Sequence, residues 1–138
     1  GLLSQQEYLG FGKAYDLEVL EPAKSLWLNM LHLHGNQVMF TDILDYPVHI
    51  INWHDRDTWP SLHEARAISN HILCGGLQRE TTIVLGTPDQ VHAEAIDAIH
   101  ATAGQRFILG TGCVAPITAP HGNITAARQS VEHYAREH

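Results

Sequence analysis

Very little of this chain is basic. Eight lysines and arginines stand against fifteen acidic residues, for a net charge of −7, and they form no cluster. A surface of that sign repels phosphate, which argues against nucleic acid and anionic membranes as partners. Cysteine is as scarce. Two residues cannot build a disulfide framework, so a reducing, cytoplasmic setting is expected. No apolar run approaches the roughly 20 residues that a membrane-spanning helix needs. No basic segment leading into an apolar one opens the chain, so nothing in it points to secretion. No initiator methionine precedes Gly1-Leu2-Leu3, as expected of a tag remnant or the start of a fragment.

What is present is the composition of one folded domain: 138 residues, 44% of them apolar. Eleven histidines outnumber the lysines and arginines together, and most are expected to be ordinary surface residues. Ser4-Gln5-Gln6-Glu7 has the form of a capping box, so a helix should start there and run to about Lys24, weakened by Gly10 and Gly12 and broken near Pro22. Residues 27–33 form a short apolar run closed by Gly35, read as a strand buried on both faces. A short helix is expected over Val38 to Leu44, then a second buried strand over Val48 to His54. Ser61 caps the next helix, with Glu64 at its third position. Ile72-Leu73-Cys74 reads as a third strand stopped by Gly75-Gly76, and 78–85 as a loop with a helical turn. Thr87-Pro88 opens a helix that Gly104 ends. Arg106 to Leu109 reads as the fourth strand, 110–122 as a long loop, and Asn123 to about Arg136 as the last helix.

Short strands alternating with helices imply an α/β fold with parallel pairing through right-handed crossovers. An open doubly wound sheet and half of a (β/α)8 barrel both fit. The length, near half of the about 250 residues of a full barrel, favours the half barrel. Either way the site lies at the carboxyl ends of the strands, where His34, Asn36, His54, Gly75 and Cys113 fall.

Residues two apart on a strand share a face, so His32 and His34 point the same way. Such a pair offers two imidazoles to one metal, and Cys113 is the candidate third ligand. A mix of imidazole and thiolate suits Zn²⁺ better than Mg²⁺ or Ca²⁺. The alternative is a hydrogen-bonded core histidine and a cysteine that only packs. Cys74, inside a strand, reads as structural. His54, Asn52 and Asp55 close the second strand and are the candidate catalytic residues; Asn52 and His54 share a face and can orient a carbonyl or support a metal from behind its ligands. Asp55 paired with Arg56 in a polar loop is the plainer reading. Arg79, after the glycine turn, can hold a carboxylate or phosphate as a substrate contact, or be a solvated loop residue. Gly110-Thr111-Gly112 lacks the spacing and lysine of a phosphate loop, so no nucleotide is expected.

Leu31-His-Leu-His-Gly-Asn36, Tyr46-Pro-Val-His-Ile-Ile-Asn-Trp53, Gly75-Gly-Leu77, Gly86-Thr-Pro88 and Phe107-Ile-Leu-Gly-Thr-Gly-Cys113, with Asn123 beyond, together resemble the uroporphyrinogen decarboxylase superfamily over nearly the whole chain. The superfamily is a (β/α)8 barrel, and the resemblance is to its C-terminal half, strands five to eight, so 1–138 is expected to be a single partial barrel domain. Its members include uroporphyrinogen decarboxylases and zinc-dependent methyltransferases acting on methylated corrinoid proteins. The methyltransferase pattern, His-x-Cys on the fifth strand and a distant Cys after the eighth, falls on His32, His34 and Cys113, with His34 in place of a cysteine. The decarboxylase branch has a substrate-contacting histidine where Thr111 stands, and its principal acidic contact belongs to the N-terminal half.

The resemblance therefore implies an enzyme with a small-molecule substrate: zinc at His32, His34 and Cys113, Asn36, Arg79 and Thr111 at the substrate, and methyl or alkyl transfer to a thiol from a corrinoid or similar donor. Metal-free tetrapyrrole decarboxylation is the alternative. A third expectation is an inactive half barrel that self-associates into a homo-oligomer through its unpaired sheet edges.

Overall fold

A computed structural model describes residues 3–137; Gly1, Leu2 and His138 lie outside the described residues. Ser4 opens the chain's first helix as the sequence predicts. Its hydroxyl accepts from the Glu7 N–H and the Glu7 carboxylate accepts from the Ser4 N–H, a reciprocal capping box. The helix α1 (Gln5–Glu7) widens into a π-helical turn over Tyr8–Gly12 and continues as α2 (Lys13–Leu20). Gly12 is required in that turn, because a Cβ there would lie 2.6 Å from the Tyr8 ring folded over it. The helix thus passes Gly10 and Gly12 through a local bulge and not a break. A 3-10 turn over Glu21–Ser25, carrying Pro22, ends the helix.

Four strands follow: β1 (Met30–His32), β2 (Ile50–Asn52), β3 (Ile72–Leu77) and β4 (Phe107–Thr111). They lie in one sheet in sequential order, every neighbouring pair parallel. Between and after them come α3 (Leu62–Ile68), α4 (Thr82–Leu85), α5 (Pro88–Ala101) and α6 (His121–Glu137). This is the α/β architecture of half a (β/α)8 barrel; among the described residues the reversal of strand order that marks a doubly wound sheet does not occur. Among the described residues no helix is long and apolar enough to cross a membrane.

The register row Leu31, Ile51, Leu73 and Phe107 faces the helices and enters the main core. Trp53, on the same face, is fully buried. Its ring packs on Phe40 at 4.8 Å between centroids, and its indole N–H donates to the Pro60 carbonyl at 2.7 Å. Ala65 and Ala98, both fully buried, let α3 and α5 approach the strands closely. The helix starts are capped as expected, by Ser61 with Glu64 and by Thr87 with Gln90, with Pro88 first in α5.

Three expectations are corrected. The segment 27–33 is a strand only over Met30–His32, and it is not buried on both faces. Among the described residues it pairs with β2 alone, at the edge of the sheet, and Met30 is half exposed. The helix expected over Val38 to Leu44 is a 3-10 turn over Phe40–Ile43, held between Gly35 and Tyr46-Pro47. And β3 does not stop at Gly75-Gly76. It runs on to Leu77, because β4 keeps pairing with it through Gly76↔Gly110 and Leu77↔Thr111.

Candidate metal centre

The site is built at the carboxyl ends of β1, β2 and β4. His32 stands level with Asn52, and two residues further the same register brings His34 level with His54. Gly35 has φ +112°, in the region that favours glycine, so the chain turns away directly after His34. Three imidazoles result in one place. His34 and His54 lie 5.1 Å apart, His32 and His34 6.0 Å, and His32 and His54 6.1 Å, between ring centroids.

Cys113 arrives from the turn after β4. A Cβ on Gly112 would lie 2.7 Å from the Trp53 carbonyl oxygen and 2.7 Å from the His54 Cα, so only glycine allows this close approach. The Thr111 hydroxyl donates to the Cys113 carbonyl and holds the turn. One donor atom each from His32, His34, His54 and Cys113 then lie within 4.8 Å of one another. Around a tetrahedral zinc such atoms stand about 3.3–3.8 Å apart, so a contraction of roughly 1 Å, within side-chain rotation, closes the set on an ion. The donor chemistry, three imidazoles and a thiol, fits Zn²⁺.

Two further observations support the fit. His54 Nε2 is buried with no hydrogen-bond partner among the described residues, a cost that a ligated ion removes. Burial, and then the neighbouring His34, push the His54 pKa down, which favours the neutral ring that ligates. The second observation is Asn52. Its amide donates to the Cys74 carbonyl at 2.9 Å and the Thr111 carbonyl at 3.1 Å, which turns Oδ1 toward His32 Nδ1 at 2.7 Å. His32 must therefore carry its proton on Nδ1, leaving Nε2 free as a ligand. One buried amide ties together all four strands at the site.

The other sequence-predicted residues are placed as follows. Arg79 stands close enough to His54 to depress its pKa, and its Nε is buried without a hydrogen-bond partner among the described residues. Its guanidinium meets Glu80 only at 3.7 Å. Asn36 is exposed beyond Gly35, its carbonyl accepting from the Thr58 hydroxyl at 2.9 Å. Thr111 acts on the turn through its hydroxyl and on Asn52 through its carbonyl. Asp55 is not brought into the cluster. Both its oxygens accept the Gly76 N–H at 3.1 Å, and a Cβ on Gly75 would lie 2.2 Å from its Oδ1. Burial raises its pKa to about 6 against these hydrogen bonds. Arg56 Nε is 4.0 Å from the Asp55 carboxylate and donates instead to the Gly76 carbonyl at 2.9 Å. Burial also pushes up the Cys74 thiol, in keeping with a structural role. His54, a catalytic candidate in the sequence, stands here as a fourth donor; the sequence signal for that is its place two residues beyond Asn52, as His34 lies two beyond His32.

A search of the curated proteins gives no match. Among solved structures, a methyltransferase from Methanosarcina mazei superposes with a TM-score of 0.80 at 21% identity, over 96% of this chain and 38% of its own. At that identity the likeness is one of fold, and this chain spans little more than a third of that neighbour's length. The family model for uroporphyrinogen decarboxylase (URO-D) matches residues 1–134, nearly the whole sequence that carries these four strands and the histidines at their ends. The chain belongs to the URO-D family.

Proposed function

We propose that the chain carries the thiol-activating half of a metal-dependent methyl or alkyl transferase of the URO-D family. The observation that carries this reading is the convergence of His32, His34, His54 and Cys113 on one point. Zinc held by three of these four donors would keep one position open for a thiol and would supply the Lewis acidity that lowers its pKa, so that a thiolate could attack an activated methyl group. His32 is set for ligation by Asn52, and His54 is kept neutral by burial. Arg79 has a free Nε beside the cluster and suits the anionic end of a small thiol substrate. Asn36 stands at the rim to meet the rest of that substrate. A methylated corrinoid protein, or a similar donor, is the methyl source this reading calls for. With both cysteines free, a reducing cytoplasmic setting suits it.

Compared with a His-x-Cys and Cys set, the imidazole of His34 would leave less negative charge at a bound metal, which would make an activated thiol a weaker nucleophile there. The test is metal content of the purified chain by mass spectrometry. One zinc per chain, lost when His34→Ala and Cys113→Ala are combined, is the expected result. No stoichiometric zinc, or zinc retained by the double variant, would overturn the reading. Metal-free decarboxylation of a tetrapyrrole is the second reading, favoured by the family match over residues 1–134. Turnover of a tetrapyrrole substrate that survives chelation would select it.

A further inference from the structure

His54 is the donor that comes from the end of β2, and its two ring nitrogens stand in unlike surroundings. Nε2 is buried with no hydrogen-bond partner among the described residues. Nδ1 lies 3.9 Å from Asp57 Oδ2. A neutral imidazole carries one proton and one lone pair, so the nitrogen that keeps the proton leaves the other to bind a metal. The neighbours of the ring decide which. Of the titratable neighbours that act on it, His34, His32, Arg79 and Asp57, only ionised Asp57 is an acceptor that never donates.

Local structure holds Asp57 in place. The His54 carbonyl accepts from the Asp57 N–H and from the Thr58 N–H, both at 2.9 Å. The chain therefore folds back after β2 and returns the Asp57 carboxylate to the ring it has just left. The Thr58 hydroxyl ties this turn to the Asn36 carbonyl beyond β1. From the end of β3, the Gln78 amide donates to Asp57 Oδ1. That amide is fixed in direction, because its Oε1 accepts the Glu80 N–H at 3.3 Å. The two oxygens of Asp57 are thereby assigned, Oδ1 to Gln78 and Oδ2 to the side of His54 Nδ1. The 3.9 Å gap exceeds a hydrogen bond by about 1 Å, the size of the contraction that closes the four donors on an ion.

We propose that Asp57 is a positioning residue: its carboxylate, aimed by Gln78, keeps the proton of His54 on Nδ1 and leaves Nε2 as the donor toward His32, His34 and Cys113. The use of that arrangement rests on the metal reading above, whereas the proton is placed before any ion arrives. Asp57 does at His54, with a carboxylate, what the Asn52 amide does at His32. A carboxylate behind the ring adds something that an amide does not. It makes the imidazole a stronger donor and returns part of the negative charge that a site with an imidazole at His34 lacks.

Nitrogen NMR spectra of the histidine rings in metal-free protein test this, at about pH 8, where an imidazole is neutral. His54 should show its proton on Nδ1. Asp57→Asn is the decisive variant, because it keeps the shape and the bond to Gln78 but turns an NH2 donor toward Nδ1. The His54 proton should then move to Nε2, and zinc affinity, read by competition with a chromophoric chelator, should fall by about 10–100-fold. Asp57→Ala should also lose affinity, with no tautomer fixed. Metal-free unfolding should not move in either variant, since Asp57 is exposed. A parent with the proton on Nε2, or a tautomer that both variants leave unchanged, would overturn the proposal, while zinc on the parent would keep the metal reading standing. Zinc affinity unchanged in Asp57→Asn would overturn it too. A parent that binds no zinc yet shows the Nδ1 proton, lost in Asp57→Asn, would overturn the metal reading and keep Asp57 as the group that sets the ring.

Discussion

On the face of the sheet that the helices cover, Leu31, Ile51, Leu73 and Phe107 stand in one register row, with Trp53 beyond them in the core. On the opposite face the next row along reads His32, Asn52, Cys74 and Ile108, and it leads to His34 and His54. The same strands supply both, one residue out of step. The covered face draws its stability from apolar area removed from water. The open face carries polar and ligating groups and is held in shape by a few hydrogen bonds. The fold thus keeps its stability and its candidate chemistry on separable sets of side chains, and substitutions can be chosen to act on one alone.

The largest effect should come from the covered face. Trp53→Ala removes a fully buried ring, its contact with Phe40 and its hydrogen bond to Pro60. A loss of about 3–5 kcal/mol in urea unfolding is expected. A loss below about 1 kcal/mol would show that the helices do not hold this face as described.

Asp55 sits where the two faces meet the strand ends, and its effect depends on pH. Its folded pKa, about 6, lies above the ordinary 3.8, so the folded chain binds a proton more tightly than the unfolded one. Stability therefore falls as pH rises from about 4 to 6, and the cost of the buried charge is complete above that, at roughly 2–3 kcal/mol. Asp55→Asn removes the charge while Oδ1 can still accept from Gly76. The variant should match the parent near pH 4 and exceed it by about that amount at pH 7. Urea midpoints across the range check this, and parallel pH profiles would contradict it.

Gly112→Ala probes the seam between the faces. The added methyl meets the Trp53 carbonyl and the His54 backbone, so either the turn or the end of β2 must move. About 1–3 kcal/mol of destabilisation is expected. Cys113 moves with the turn, so zinc affinity should fall more steeply than the unfolding midpoint suggests. Equal loss of both would mean that the turn does not position the thiol.

The covered face was the more legible in the sequence. The capping boxes at Ser4 and Ser61 and the cap at Thr87 depend on near neighbours alone, and they form as read. What depends on distant pairing is not legible locally. Gly75-Gly76 has the local look of a stop, yet β4 continues to pair there. The run 27–33 has the look of a central strand, yet its exposure follows from a place at the sheet edge. The open face was half legible for the same reason. His32 and His34 share a face within one strand. That His54 joins them required the register between two strands, and that Asn52 reaches Cys74 and Thr111 required all four.

The smallest effect on folding should come from the open face itself. His34 is exposed, lies in no core cluster and precedes a glycine turn whose conformation does not need its ring. In metal-free protein His34→Ala should change the unfolding free energy by no more than about 0.5 kcal/mol. With zinc the two chains should part. An ion that binds only the folded form stabilises by about 2.7 kcal/mol at a hundredfold excess over its dissociation constant, and the variant, lacking one donor, should lose most of that gain. Thermal unfolding with and without zinc, on parent and variant, gives four curves. The separation of the faces predicts that three nearly coincide and that only the zinc-loaded parent shifts upward. If the metal-free variant is already destabilised, the histidine belongs to the packing. If zinc shifts both chains alike, the ion is held elsewhere.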